Sequence, residues 1–363
     1  MPYYPNDARL GAGLHGFYLS DLREEPTLII AKRQKSNPVP PPGSARFVSI
    51  RFVDMAISDH SGPTRLIALL IKFLGYAMFS LQSIPLILRF RPDIVHIHTP
   101  MPIIHGLFAK YVLGSKLFIT FHGTDVRHMP RSRVLRALVR RADAVCYVSR
   151  SMRPIFEGAV PAERLLYTPN GVDTGAFPVG DGDRARTVLM VGSLRWQKGY
   201  ADALNAFALF RSTNPDWRLN IVGWGPQREE LELQIRQSGL DGSVDFIDVA
   251  ERVEVAKLMR ESRLFMLSSV SEGFPKVLLE TAASALPTVA TDVGSCREVV
   301  EKGVGLVVPP GDPEALASAL NTLATDEKLW EECSRRGPMV AKEYSWESTV
   351  EVVYEAYRRA LAD

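Results

Sequence analysis

Short apolar, β-branched runs recur along this chain, each followed by a longer stretch in which apolar residues return every three or four positions. The first pattern predicts buried strands and the second predicts helices; their alternation predicts parallel α/β layers. In the first half the strand runs are Thr27–Ala31, Phe47–Val53, Ile94–His98, Leu117–Phe121 and Ala144–Val148. In the second half they are Thr187–Val191, Leu219–Val222, Val244–Ile247, Leu264–Leu267, Thr288–Ala290 and Gly305–Val308. Each set is large enough for one doubly wound sheet. Between them, residues 172–183 are rich in Gly, Pro and Asp, the composition of a linker. The most apolar stretch, Leu66 to Phe90, contains Lys72, Gln82 and Pro85, which predicts one or two core helices rather than a membrane span. Near the end, Trp346, Val350, Val353, Tyr354 and Tyr357 predict an amphipathic helix.

Composition narrows the class. With 363 residues there is room for two domains, and 46% hydrophobic with 23% charged residues describes a soluble globular protein. Cys146, Cys296 and Cys333 are far apart, form no metal-ligand spacing and suit a reducing compartment. Met1-Pro2-Tyr3-Tyr4-Pro5 lacks the basic and then apolar segment of a secretory signal, so the expectation is a cytoplasmic protein. The net charge of +2 is unevenly spread: residues 1–178 are strongly basic and residues 179–363 acidic. Arg127, Arg131, Arg133, Arg136, Arg140 and Arg141, with Val134, Leu135, Leu138 and Val139 between them, predict a basic amphipathic helix. Such a helix is either a solvated face or a docking surface for anionic membrane or a phosphate-bearing partner. Nucleic acid is not implied, because no aromatic-plus-basic motif accompanies the arginines.

The richest chemistry lies in Ser271-Glu272-Gly273-Phe274-Pro275-Lys276-Val277-Leu278-Leu279-Glu280. The apolar run before it predicts a parallel strand, and Pro275 suits the first turn of a helix. Glu272 then falls in the loop at the strand's C-terminal end, where open α/β sheets bind ligands. Glu280 falls about two turns along, roughly 12 Å away. Two carboxylates so placed can accept hydrogen bonds from hydroxyls at both ends of a long polar ligand. The N–H groups of the helix start can hold its phosphates. A sugar nucleotide has that form. Taken without its context, the pair would describe an ordinary solvated helix face.

That segment, followed by Leu286-Pro287-Thr288-Val289-Ala290-Thr291-Asp292-Val293-Gly294, closely resembles the donor-binding signature of retaining GT-B glycosyltransferases, specifically glycosyltransferase family 4. Further segments resemble the family in the same order along nearly the whole chain. They are Thr120-Phe121-His122-Gly123-Thr124-Asp125, Val191-Gly192-Ser193-Leu194-Arg195-Trp196-Gln197-Lys198-Gly199 and Ile221-Val222-Gly223-Trp224-Gly225-Pro226. The resemblance implies an α/β GT-B fold of two Rossmann-like doubly wound domains facing across a cleft. Residues 1–177 would bind the acceptor, 184–345 would bind the nucleotide-sugar donor, and 346–363 would form a helix crossing back to the first domain.

The resemblance also implies roles. Glu272 would hold the sugar hydroxyls, Glu280 the ribose, Lys198 and Arg195 the departing diphosphate, and His122 the sugar from the acceptor side. Gly192, Ser193, Gly223 and Gly225 would line the nucleotide with Gly273, Phe274, Pro275, Lys276 and Val277. Gly11 and Gly13 would lie on the acceptor side. By their place on the strand Ile94–His98, His96 and His98 read as structural histidines, with His98 the one able to face the acceptor side. The family commonly has arginine where this chain has Ser193, and Arg195 is the nearest substitute. The expected reaction is retaining transfer from a UDP- or GDP-linked sugar to a carbohydrate or lipid-linked acceptor, in cell-surface polysaccharide or glycolipid assembly. No metal or other cofactor is expected. Asp181-Gly182-Asp183 matches an Asp-x-Asp pattern of metal-dependent sugar transferases but sits in the linker and reads as turn chemistry. The expected location is the cytoplasm, peripheral on the inner face of the membrane. The family has an apolar first strand before a segment like Pro2–Pro5, where this chain has only Met1, so a start upstream is expected. The alternatives are an inactive nucleotide-sugar-binding protein and a GT-B sugar-nucleotide epimerase.

Overall fold

The computed structural model describes residues 28–32, 46–50 and 63–362, apart from 99, 101, 124, 127–128, 130–131, 181 and 249–250. These residues divide into two compact units. One comprises Val148–Ser151 and Pro169–Thr349; the other comprises the described residues up to Tyr147, Met152–Thr168, and the chain from Val350 onward.

In the latter unit, strands β1 (Leu28–Lys32) and β2 (Arg46–Ile50) pair in parallel. Helix α1 (Pro63–Phe90) follows and runs unbroken through Pro85, one helix where the sequence allowed two. Among the described residues no helix is long and apolar enough to cross a membrane. Next come β3 (Ile94–Ile97), α2 (Ile103–Phe108), β4 (Lys116–Phe121), α3 (Arg133–Val139), β5 (Ala144–Tyr147), α4 (Arg153–Phe156) and β6 (Leu165–Tyr167). Strands β3 to β6 form a parallel sheet in chain order. Strand β6 is only three residues long, too short for its alternation to register against the flanking loop, and the sequence pattern does not single it out. Helix α3 places Arg133, Arg136, Arg140 and Arg141 at or just beyond its ends and on its exposed side, while Val139 is buried. Arg127 and Arg131 lie outside the described residues.

The other unit contains β7 (Ala185–Val191), α5 (Tyr200–Thr213), β8 (Arg218–Val222), α6 (Arg228–Gln237), β9 (Val244–Ile247), α7 (Arg252–Glu261) and β10 (Ser262–Leu267). After these come α8 (Lys276–Ala283), β11 (Thr288–Thr291), α9 (Cys296–Val300), β12 (Gly305–Val308), α10 (Pro313–Thr325) and α11 (Glu327–Glu343). All its strands pair in parallel, in the order β9-β8-β7-β10-β11-β12. The chain thus winds outward in one direction from β7 and then in the other from β10, a doubly wound sheet whose switch point lies between those two strands. Val188, Met190, Leu264, Met266 and Val289 of the sheet pack with Phe207 and Phe210 of α5 and Leu316 and Leu320 of α10, all buried. The central strands are apolar on both faces, as a sheet covered by helices on each side requires. A last helix, α12 (Trp346–Ala362), returns the chain to the unit of β3–β6 from Val350 onward.

Candidate active site

The loops leaving β7 and β8 are joined edge to edge. Gly192 N–H donates to Val222 O at 2.9 Å and Leu194 N–H donates to Trp224 O at 2.9 Å. Gly223 has φ +151°, and a Cβ there would stand 1.8 Å from Gly192 O. Only glycine permits this approach. Gly192, Ser193, Gly223 and Gly225 are thereby gathered at the C-terminal end of the sheet.

The loop leaving β10 lies on the other side of the switch point. It is held to the β7 loop by Ser268 Oγ donating to Lys198 O at 2.9 Å and by Val270 N–H donating to Gln197 O at 2.9 Å. Across this junction Lys198 Nζ meets Glu272 Oε1 at 2.5 Å, with both side chains largely buried. Ser269 Oγ donates to the same oxygen at 2.7 Å. Lys198 has three N–H donors and spends one on Glu272, so the pair orients the ammonium without exhausting it. Gly294, in the loop after β11, supports this corner: at φ +58° its Cα passes beneath the peptide of Glu272, and a Cβ would stand 2.5 Å from Glu272 O. Ser295 N–H donates to Gly273 O at 3.1 Å.

Helix α8 starts at Lys276. Pro275 is its cap, in extended conformation at φ −73° and ψ 105°, one residue earlier than the first-turn position read from the sequence. With its φ fixed and no N–H to satisfy, proline suits this entry too. Phe274 is buried and its carbonyl accepts from Asn170 Nδ2 at 3.0 Å. Glu280 lies one turn into α8, and only 7% of its surface is exposed. Burial raises its carboxyl to about pH 6, against the opposing pull of Lys276 and Arg252. Its Oε2 atom has no hydrogen-bond partner. Gln197 Oε1 and Ser295 Oγ, on the two loops just described, are also buried without a partner. An unpartnered buried oxygen costs about 1–3 kcal/mol. Polar groups of a ligand would satisfy such oxygens. Arg195 is exposed.

The unit of β3–β6 carries the remaining candidates. His122 follows β4, where Asp125 clamps the turn by accepting from the N–H groups of His122 at 3.0 Å and Gly123 at 2.9 Å. Burial raises the Asp125 carboxyl from its ordinary value, and these donors pull it back. His122 Nε2 lies 3.3 Å from His98 Nδ1, so the structure brings these two candidates together. His96 is engaged at both ring nitrogens, by Tyr357 and Thr120. Gly11 and Gly13 lie outside the described residues.

Residues 177–339 match the family of glycosyl transferases group 1, and residues 40–176 match glycosyltransferase family 4. The chain belongs to this glycosyltransferase family. It is a glycosyltransferase of GT-B fold. Among the family's proteins, a glycogen synthase of Mycobacterium tuberculosis is 28% identical over 74% of this chain and 69% of its own length. A phosphatidyl-myo-inositol mannosyltransferase of Mycobacterium leprae is 27% identical over 73% of both chains. The crystal structure of Anabaena HepE in complex with UDP superposes with a TM-score of 0.76 at 18% identity, over 98% of each chain. At that identity the likeness concerns the fold.

Several residues that contact the candidates in each unit carried no signal in the sequence. Ser269 and Arg252 are common residue types at unremarkable spacings. The part Tyr357 plays beside His96 depends on two residues 261 positions apart. Asp125 was visible as part of its loop motif, but its capping of the His122 turn was not.

Proposed function

We propose that this glycosyltransferase transfers a sugar with retention from a UDP- or GDP-linked donor to an acceptor hydroxyl. The observation that carries the reading is the switch point of the second sheet, where the Lys198–Glu272 pair stands in the loops at the strand ends and the unpartnered oxygen of Glu280 lies one turn into the helix that follows. Residues 184–345 would form the donor domain and residues 1–177 the acceptor domain. Glu280 accepts hydrogen bonds from the ribose. Glu272 accepts them from the sugar. Lys198, with Arg195, neutralises charge on the leaving diphosphate, and the N–H groups of Lys276 and Val277 at the start of α8 add to it. The backbone of Gly192, Ser193, Gly223 and Gly225 borders the nucleotide, and His122 contacts the sugar from the acceptor side.

The reaction is a displacement on one face through an oxocarbenium-like transition state. The acceptor oxygen bonds to the anomeric carbon as the bond to the diphosphate oxygen breaks, and the hydroxyl proton passes to the departing phosphate. No carboxylate acts as a nucleophile, in contrast to the paired acids of glycosidases. The lysine, arginine and helix start do the electrostatic work that a metal does elsewhere. The basic unit, and a relative whose name includes phosphatidyl-myo-inositol, support an acceptor at an anionic membrane surface, as in polysaccharide or glycolipid assembly.

The test offers UDP- and GDP-linked sugars to the wild type and to Glu280→Ala and measures nucleotide release. Release from one donor, lost in the variant, supports the reading and identifies the donor. Thermal stabilisation by a donor, without release in the presence of a panel of carbohydrate and lipid-linked acceptors, indicates a sugar-nucleotide-binding protein instead. Interconversion of free sugar nucleotides without an acceptor indicates an epimerase.

A further inference from the structure

Side chains alternate along a strand, so one face of the β3–β6 sheet is fixed by register. His96 and His98 share a face of the chain at β3, and His96 pairs with Phe118, which shares its face with Thr120 and His122. On β5 the same face carries Ala144 and Cys146, the register partners of Phe118 and Thr120. Helix α12 covers this face: Tyr357, Ala356 and Ala360 pack against Phe118, Ala144 and Cys146. The Tyr357 ring stands edge-on to Phe118, with centroids 4.8 Å apart.

The polar groups under α12 form one continuous track. The Tyr357 hydroxyl lies 2.5 Å from His96 Nδ1, and His96 Nε2 lies 2.6 Å from Thr120 Oγ1. Thr120 stands beside Cys146, its register partner on β5. Burial raises the Tyr357 hydroxyl well above its ordinary range, so it stays a neutral hydroxyl. His96 thus has a hydrogen-bond partner at each ring nitrogen, one on α12 and one on β4, which holds its ring plane at both ends. Its ring stacks on His98 with centroids 4.5 Å apart and planes 19° apart. The His98 ring stacks on His122 at 5.5 Å and 26°. Both separations fall in the attractive range for aromatic rings. The His98 Nδ1···His122 Nε2 contact of 3.3 Å needs one ring to donate and the other to accept.

We propose that Tyr357 and His96 are positioning residues for His122. Tyr357 locks the His96 ring, the locked ring sets the plane of His98, and His98 sets the orientation and tautomer of His122. This deepens the proposed function, in which His122 contacts the donor sugar, and rests on it. A track of this kind makes the last helix part of the reaction machinery through its hold on His96.

The test uses the full chain labelled with ¹⁵N-histidine, as wild type, Tyr357→Phe and Thr120→Val. Each variant removes one anchor of His96 and keeps the shape of the side chain, so either suffices if the other fails to fold. Long-range ¹H–¹⁵N spectra should show one tautomer for His96 in the wild type. In the variants the ring-nitrogen signals of His98 and His122 should move together with those of His96. Turnover of the donor should fall about tenfold, the scale of one lost hydrogen bond in a network, with donor KM and nucleoside diphosphate Kd unchanged. Perturbed His96 signals with unmoved His98 and His122 signals would overturn the proposal, as would unchanged turnover. If the wild type turns over no donor, the transferase reading fails, and the spectra still decide whether the track connects Tyr357 to His122.

Discussion

Burying the charge of Glu280 should make this protein's stability fall as pH rises through the weakly acidic range. Its carboxyl titrates at about 6 in the folded protein, against 4.5 for an ordinary glutamate. Between those values the folded state holds a proton that the unfolded state has lost, so stability decreases with rising pH. Below the lower value both states are protonated and the cost vanishes; above the upper value it is complete. The shift corresponds to about 0.8 kcal/mol at about pH 5 and about 2 kcal/mol at about pH 7.5. Glu280→Gln keeps the shape and removes the titration. Its stability relative to wild type should therefore improve by about 1.2 kcal/mol between those two conditions, equivalent to roughly 2–5 °C in Tm for a domain of this size. Paired thermal melts of the two proteins across this pH range provide the assay. A constant offset between the two curves would refute the reasoning, because it would mean that the buried carboxylate pays no charging cost. The same residue should couple binding to pH. Ribose hydroxyls favour the ionised acceptor, so nucleoside diphosphate affinity in wild type should decline below about pH 6.

If Lys198 neutralises the departing diphosphate as proposed, Lys198→Ala, which also leaves Glu272 without its cation, should lower donor turnover about 10²–10³-fold in a nucleotide-release assay. Gly223→Ala puts a methyl group into Gly192 O, and the melting transition should register a loss upwards of about 3 kcal/mol together with loss of nucleotide binding. If the exposed arginines around α3 dock on anionic membrane, the protein should bind anionic vesicles and be released by raised salt, and Arg136→Glu with Arg140→Glu should abolish cosedimentation.

The strands were legible because their apolar runs are short, β-branched and bounded by turn residues. The observed β4, β5, β8 and β9 differ from the sequence reading by a residue or less. Boundaries drift where the ladder extends past the apolar core, as at Ser262 and Arg263 of β10. The parallel α/β character followed from the alternation of strands and helices, but the strand order did not, since order is set by crossovers that periodicity does not encode. The second set forms one doubly wound sheet as expected, whereas among the described residues of the first set β1 and β2 pair apart from β3–β6, which run in chain order. In the site, Glu272 and Lys198 could be singled out as charged residues in sheet-end loops. Their ion pair joins residues 74 apart and exists only because β7 and β10 are neighbours. The full burial of Glu280 was equally hidden, because its exposure depends on what α7 and the loops pack against it. The track from Tyr357 to His122 was legible least of all: His96 read as structural, and nothing local to position 357 indicates a partner at position 96.

The assignment of residues 350–362 to the unit of β3–β6 bears on how the chain acquires its structure during synthesis. A ribosome making about 5–20 residues per second delivers Val350 some ten to forty seconds after Thr168. The unit built from Pro169–Thr349 is nearly continuous in the chain and can close as soon as it emerges. The unit translated before it must wait, with the apolar face of its sheet and the His96 ring uncovered, until the last helix arrives. Translation order and completion order are thus reversed, and the interval is a window in which a chaperone that shields apolar sheet faces would have its target.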